Sequence, residues 1–502
     1  MNATRTSGAR TILTWVLMLA VGVLGIYLGA LAYNSSLART LVRLQEGEIR
    51  TALDGVGLAV VQSFRSAIMY AAVAWLVVMA VAVLRHRTPR QAASRGWIIV
   101  LAVGVVAKLI GEFALNPGLS ATIVVGGLQK GFIYALIALG YTMVYGVVRL
   151  INFAHGDIFM VGAFISFYTI SRMNLHHLPG MLYMNLTGSS AAPGWTLALG
   201  VFVIILISMA FCSLLAVVVE RVAYKPLRNA PRIAALITAI GVSFFLEYFS
   251  ALQFAFGPDY ITYERPFPLV RWDNSNPSIS LLVICLVLLL VSALTQLVFW
   301  AIKRAAGAGR VPMLVSSPVL NLATRFGLLV GGVGTLYMAL SMLGVGITNI
   351  QMIVMTASVF LLVGLQYVVS QTKIGKAMRA SAWNRPVARL MGINVDQVIS
   401  VTFALGAALA GAASVLYAVA YPQLVWNMGI MPGLRAFVSA VLGGIGSIPG
   451  AFVGALIMGQ AEELSAAFIS TPMRDAIAFT VLIIVLVVRP TGIFGEAGGE
   501  KA

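Results

Sequence analysis

Charge is scarce in this chain of 502 residues: only 10% are Asp, Glu, Lys or Arg, while 60% are hydrophobic. A soluble domain carries roughly a quarter charged residues. A soluble globular fold is therefore excluded, and a polytopic membrane protein is indicated. Cysteine is scarcer still. Cys212 and Cys285 both lie in apolar runs, which leaves no disulfide or thiolate metal framework. The histidines His86, His155, His176 and His177 repeat no metal-ligand spacing. His176 and His177 read as part of an exposed turn before Pro179. The HExxH zinc motif, the Walker A loop and the GxSxG elbow are all missing. The chain thus carries no ATPase site or cofactor motif of its own, and active transport would draw on a partner or an ion gradient.

Acidic residues are also few, 16 against 33 basic ones, for a net charge of +17. Much of the excess sits in short loops, where it sets orientation by the positive-inside rule. Nucleic-acid binding would need a soluble basic domain, and none is present. What the chain has in abundance is apolar sequence. Runs long enough to span a bilayer occur near 12–33, 66–84, 97–115, 119–149, 156–172, 197–219, 233–255, 279–302, 324–344, 350–371, 397–420, 435–460 and 474–488. They predict an all-α bundle of about 12–13 transmembrane helices. The first run follows Arg5 and Arg10 and exceeds the roughly 7–15 residues of a signal core, so it reads as a retained anchor.

Four basic loops are expected on the cytoplasmic side. They are Arg85–Arg95, Arg221–Arg232, Lys303–Arg310, and the densest, Lys373–Asn394. Residues 174–195 and 257–278 read as outside loops. Counting spans puts the C-terminus outside, yet Arg489 and Lys501 favour inside; a split or re-entrant segment near 435–460 would restore parity. Residues 34–65 read as an amphipathic helix, either on the membrane surface or packed on neighbouring spans.

Ionisable groups within spans are costly and therefore suspect. Lys108 and Glu112 can pair across one helical turn. Lys130 falls in Gly126-Gly-Leu-Gln-Lys-Gly131, where a helix break is expected, and Glu247 lies near the outer end of its span. None of these makes a proton relay. Arg149-Leu-Ile-Asn-Phe-Ala-His-Gly-Asp157 is a polar knot between two spans, in which Asn152, His155 and Asp157 are expected to cap helix ends or to touch substrate. In Leu442–Gly454, Gly446, Gly450 and Gly454 follow the small-xxx-small spacing of close helix contacts, with Gly443, Gly444 and Pro449 loosening the backbone. Freed backbone at membrane depth must be buried or line a cavity, so this segment marks tight packing or a translocation pathway.

Lys373–Asn394 holds five basic residues and no acidic one. Pro386 cannot sit in a helix interior but suits a first turn, with Asn384 as cap. The stretch therefore reads as two short helices, about 374–383 and 386–391, ended by Gly392. Val387, Leu390 and Met391 form an apolar edge. From physics alone, that edge suits either a groove in a partner protein or a surface of acidic lipid headgroups.

These residues also carry a resemblance. Tyr134-Ala-Leu-Ile-Ala-Leu-Gly-Tyr-Thr-Met-Val-Tyr-Gly146 with Leu150–Asp157, Glu220-Arg-Val-Ala-Tyr-Lys-Pro-Leu-Arg228, Ala440–Gly450, Arg379-Ala380 with Gly392-Ile-Asn394, and Arg489–Gly495 resemble bacterial branched-chain amino acid ABC transporter permeases. The resemblance covers about 119–270 and 345–496. It implies a multi-pass inner-membrane subunit working with two ATPase subunits that bind ATP, a second homologous permease, and an extracytoplasmic substrate-binding protein. By the same resemblance, 374–393 is the cytoplasmic coupling helix, with Gly375, Arg379, Ala380, Asn384, Pro386, Arg389, Leu390 and Gly392 as its candidate residues. The implied cargo is leucine, isoleucine or valine; similar permeases move urea or short amides. Residues 1–115, with about three extra spans, and 271–344, an inserted helical hairpin, stand outside the resemblance. The core is expected as 116–270 and 345–502. The competing class is an ion-coupled secondary transporter.

Overall fold

The computed structural model describes residues 117–495 except 151, 190, 229, 273–278, 307–323, 325–326, 329, 333, 336–344, 469–470, 472–473 and 489–490. The expected Lys108–Glu112 pair and the amphipathic helix expected over 34–65 lie outside the described residues. So does most of the second half of the insert. Contacts divide the chain into Met1–Ala121 with Leu464–Arg474, and Thr122–Glu463 with Asp475–Ala502. Everything below concerns the second unit, apart from helix ends that cross its boundaries.

Helix dominates, as the apolar runs require. In chain order the elements are α1 (Pro117–Val148), α2 (His155–Phe167), α3 (Leu178–Thr187), α4 (Gly194–Val219), α5 (Arg232–Ser250), α6 (Ile279–Ala306), α7 (Asn349–Gln371), α8 (Lys373–Trp383), α9 (Arg385–Leu390), α10 (Val395–Ala420), α11 (Ile430–Gly443), α12 (Ile448–Phe468) and α13 (Arg474–Val488). Among the described residues, five helices are long and apolar enough to cross a membrane. A sixth span is possible if α2 and α3, bent by 68° across a short break, are counted as one. The protein is therefore a multi-pass membrane protein. At the centre, α10 packs on α4 and α2, with Ala410, Ala412, Ala413 and Val415 fully buried. These small side chains let the helix axes approach, the usual device for helix association in lipid.

Two miniature sheets tie loops together. β1 (Ile261–Thr262) pairs antiparallel with β4 (Gln423–Leu424), with Ile261 opposite Leu424. β2 (Arg271–Trp272) pairs antiparallel with β3 (Ile347–Thr348), with Arg271 opposite Thr348. The second clasp joins the start of the 271–344 insert to the strand just after its end. Residues 174–195, expected as a loop, contain α3, and Pro179 occupies its first turn, where proline costs no hydrogen bond. His176 is buried rather than exposed. Gly200 of α4 packs against its backbone, and that close approach draws the turn inward.

The expected break at Lys130 does not occur. α1 runs through Gly126–Gly131 as continuous helix. The glycines serve contact rather than flexure: a Cβ on Gly131 would lie 2.9 Å from the Leu456 Cα of α12.

Candidate functional site

The basic stretch folds as α8 and α9, and its own side chains punctuate it. The Thr372 hydroxyl accepts from the Gly375 N–H at 3.1 Å, opening α8. Asn384 is extended, φ −153°, and ends α8. Its side-chain oxygen then accepts from the Val387 N–H at 3.1 Å, opening α9. Pro386 lies in that first turn, where no hydrogen bond is lost. At the far end Gly392 is left-handed, φ +80°. The Ile393 N–H reaches the Ala388 carbonyl at 3.0 Å and the Gly392 N–H reaches Arg389 at 3.0 Å. These are the paired bonds of a Schellman close. Asn394 next caps α10 through the Gln397 N–H at 3.2 Å.

The pair has one face clamped and one face exposed. Met378, Ser381 and Ala388 are buried against the bundle. Arg379 turns back onto α7, donating to the Val369 carbonyl. Arg385 donates to the Val147 carbonyl of α1 at 2.8 Å. Outward stand Leu390, 86% exposed, Trp383, 81% exposed, and beside them Met391 and Val387. Ala380, Asn384, Pro386, Arg389 and Gly392 are also exposed, while Gly375 is buried against the end of α7. Trp383 was not singled out from the sequence as a coupling residue. Val387, Leu390 and Met391 share helical spacing, but no periodicity carries across the extended Asn384, so Trp383 at the end of α8 is revealed by its exposure and not by the sequence pattern. Arg379, a candidate coupling residue, is exposed and also ties α8 back to the end of α7 through the Val369 carbonyl.

A bracket of charges fixes this region to the spans. Glu220, fully buried, lies in a wide helical turn, Glu220–Tyr224, that follows α4. It receives bonds from Arg228 and, at 2.7 Å, from the Ser400 hydroxyl of α10. Arg228 also meets Asp396 at 2.5 Å, and Arg389 of α9 stands 3.8 Å from the same Asp396. Burial pushes the Arg385 guanidinium below its ordinary pKa, and Arg228, Arg149 and Arg389 add to that by repulsion.

Asp157 stands in the first turn of α2, as expected for an anion at a helix start, but no side chain of the polar knot caps that helix. Ala154 is the residue before α2, and the helix opens through backbone bonds, His155 N–H to Asn152 carbonyl at 3.2 Å. The side chains are thereby free to reach neighbouring elements. Asn152 accepts from the Tyr224 hydroxyl at 2.7 Å, and Asp157 accepts from Ser243 of α5. His155 sets its ring edge-on to Tyr141 of α1, centroids 4.7 Å apart. The three residues cross-link helices instead of ending one.

The glycine-rich run is split between α11 and α12. Gly443 and Gly450 press backbone to backbone, and Gly454 presses on Ser439. Gly446 does not belong to that contact. It is left-handed, φ +100°, in the turn between the helices, and a Cβ there would meet nothing. The small-xxx-small reading is corrected accordingly: Gly446 is needed for its conformation, Gly450 for its size. Gly444 is left-handed too, and Pro449 stands in the first turn of α12. Beside this turn opens a cavity of about 500 Å³, lined among others by Thr142, Gly146, Met378, Arg379, Gly446 and Pro449. It connects the inner face of α8 to the break between α11 and α12.

One cluster escaped the sequence reading. Lys130 of α1 pairs with Glu462 at 3.1 Å and Glu463 at 2.5 Å, both on α12. Arg435 of α11 meets Glu462 at 3.2 Å and Asp475 of α13 at 2.6 Å. The Tyr134 hydroxyl donates to Glu462 at 2.8 Å. Lys130 alone was noticed, because its partners lie more than 300 residues away in sequence. The described residues contain no group of His, Cys, Asp and Glu able to hold a metal ion.

Comparison with known proteins adds the following. A family model described as "Branched-chain amino acid transport system / permease component" matches residues 123–486. The high-affinity branched-chain amino acid transport system permease protein LivH of Escherichia coli K12 is 34% identical over 376 residues, 75% of this chain and 95% of that protein. BraD of Pseudomonas aeruginosa, named as a permease of the same kind of system, is 33% identical over 377 residues, 75% of this chain and 96% of its own. A probable LivH of Methanocaldococcus jannaschii is 31% identical over 144 residues, 27% of this chain and 45% of its own. No solved structure matches the chain.

Proposed function

The chain belongs to the branched-chain amino acid transport system permease family, and we propose that it is the membrane-spanning subunit of an ATP-binding-cassette importer for branched-chain amino acids in the bacterial inner membrane. It works beside a second homologous permease. Two ATPase subunits supply the energy, and an extracytoplasmic binding protein delivers the cargo.

The observation that carries this reading is the outward edge of α8 and α9. Trp383, Val387, Leu390 and Met391 are exposed on a helix pair whose other face is bonded to α1, α7 and α10. A large apolar patch within a basic rim marks a protein-binding surface. Burying a leucine of this kind contributes about 1.5–3 kcal/mol. The rigid attachment means that movement imposed on the patch reaches the spans. The cavity behind α8, bounded by Gly446 and Pro449, is the assigned inner end of the translocation pathway. Asn152, His155 and Asp157 hold α2 to its neighbours around that pathway.

A second reading, an ion-coupled secondary transporter, draws support from the buried Lys130–Glu462–Arg435–Asp475 cluster. Intramembrane ionisable residues often mark ion pathways. Reconstitution separates the two readings. The chain, co-expressed with its ATPases and second permease, is placed in vesicles, the binding protein is supplied outside, and leucine uptake is measured. The importer reading predicts uptake that requires internal ATP and survives an ionophore. Uptake abolished by the ionophore and indifferent to ATP contradicts it.

A further inference from the structure

On the inner side of the elbow between α8 and α9 lies a cavity of about 420 Å³, separate from the one beside Gly446. It falls within the roughly 300–1,000 Å³ of small-molecule sites. Its charged lining consists of Arg149, Arg228 and Arg385 against a single carboxylate, Glu220. That carboxylate is already saturated, by Arg228 on one oxygen and Ser400 on the other. Arg228 is likewise spent on Glu220 and Asp396. Arg385 reaches only a neutral acceptor, the Val147 carbonyl. Among the described residues, Arg149 and Arg385 form no ion pair. Two positive charges are thus left facing one cavity.

Two further features point to a ligand. Ser381, 1% exposed, lines the cavity with a buried hydroxyl that has no hydrogen-bond partner. Arg149 closes α1 in the left-handed region at φ +55°, a conformation unfavourable for a residue with a side chain. Its N–H still donates to Tyr145 at 2.7 Å, so the turn is fixed. The level is also telling. Three candidate spans end around the cavity: Gly118–Val148, Gly194–Tyr224 and Val395–Ala420. Headgroups lie where spans end, and basic pockets between spans on the cytoplasmic side suit acidic lipid headgroups.

We propose that this cavity binds the phosphate of an acidic phospholipid headgroup, held by Arg149 and Arg385 with the Ser381 hydroxyl as a further donor. Guanidinium forks match phosphate oxygens in geometry and charge. Because Arg385 also ties α9 to α1, the bound headgroup stiffens the attachment of the helix pair. Trp383 borders both the cavity and the outward edge, whereas Val387, Leu390 and Met391 do not line the cavity, so lipid in the cavity leaves those three exposed.

The test reads binding without ATP or cargo, so its outcome is separable from that of the importer reading. The full-length protein in neutral detergent is titrated with short-chain phosphatidylglycerol, phosphatidylcholine and inorganic phosphate, by native mass spectrometry. The expected result is a clear preference for phosphatidylglycerol. In Arg149→Gln and Arg385→Gln proteins that preference falls by about ten- to a hundredfold, the value of charge-assisted hydrogen bonds. Arg221→Gln, an exposed neighbour outside the cavity, leaves it unchanged. Arg149 is exposed, so its variant keeps the test decisive if Arg385→Gln fails to fold. Equal affinity for both lipids, or an equal loss in Arg221→Gln, overturns the proposal. Phosphate binding without lipid binding overturns the lipid source. So does an Arg149→Gln protein that keeps its lipid and loses an ATPase subunit instead.

Discussion

Arg385 donates to the carbonyl of Val147 at 2.8 Å, joining the α8–α9 helix pair to the last turn of α1. The two residues are 238 positions apart in sequence. Their contact ties the start of α9 to a span distant in sequence, beside the chain connections to α7 and α10.

Capping sets the elbow of that pair. Asn384 ends one helix and opens the next through its side chain. Asn384→Ala is expected to cost about 1 kcal/mol locally. Hydrogen exchange should accelerate in residues 385–390 while α10 stays protected. Unchanged exchange in that segment would show that Pro386 alone fixes the bend.

The glycines at the α11–α12 turn separate into two kinds. Gly450→Leu should abolish assembly, since even a Cβ there would meet the Gly443 backbone. Gly446→Ala meets no atom. It should cost about 1–2 kcal/mol through its left-handed backbone alone, leaving a folded protein with a lower melting temperature. Equal effects of the two substitutions would contradict this division.

Glu462 is fully buried among Lys130, Tyr134 and Arg435. Breaking a buried pair by removing one partner costs about 3–5 kcal/mol. Here Lys130 keeps Glu463 and Arg435 keeps Asp475, so Glu462→Gln is expected at the low end of that range. Combining it with Arg435→Met should cost less than the sum of the separate losses. Additive losses, measured by thermal unfolding, would show that the two residues do not interact.

Much of this architecture was legible beforehand. The spans near 119–149, 197–219, 233–255, 350–371 and 397–420 read from hydropathy correspond to described helices, because a bilayer demands long apolar runs with internal hydrogen bonding, whereas the run near 435–460 is split between α11 and α12. The elbow at Asn384–Pro386 and the close at Gly392 were legible too, since caps and breakers act within a few residues. The failures share a cause. Gly126–Gly131 looked like a break because flexibility is local, whereas its use, contact with α12, is remote. Asp157 looked like a cap because Ser243 lies far along the chain. The Glu462 cluster and the bracket from Glu220 through Arg228 to Asp396 join distant segments, which no local pattern can disclose.

The central claim is that the Trp383–Met391 edge receives the ATPase subunits. It is tested by Leu390→Cys, with the chain co-expressed with its partners and treated with a short thiol-to-amine crosslinker, and by Leu390→Glu assayed for ATP-driven leucine uptake. The account predicts a crosslink to the ATPase and loss of uptake in the Glu variant, with the permease still folded in the membrane. No crosslink at Leu390, together with normal uptake by Leu390→Glu, would contradict it.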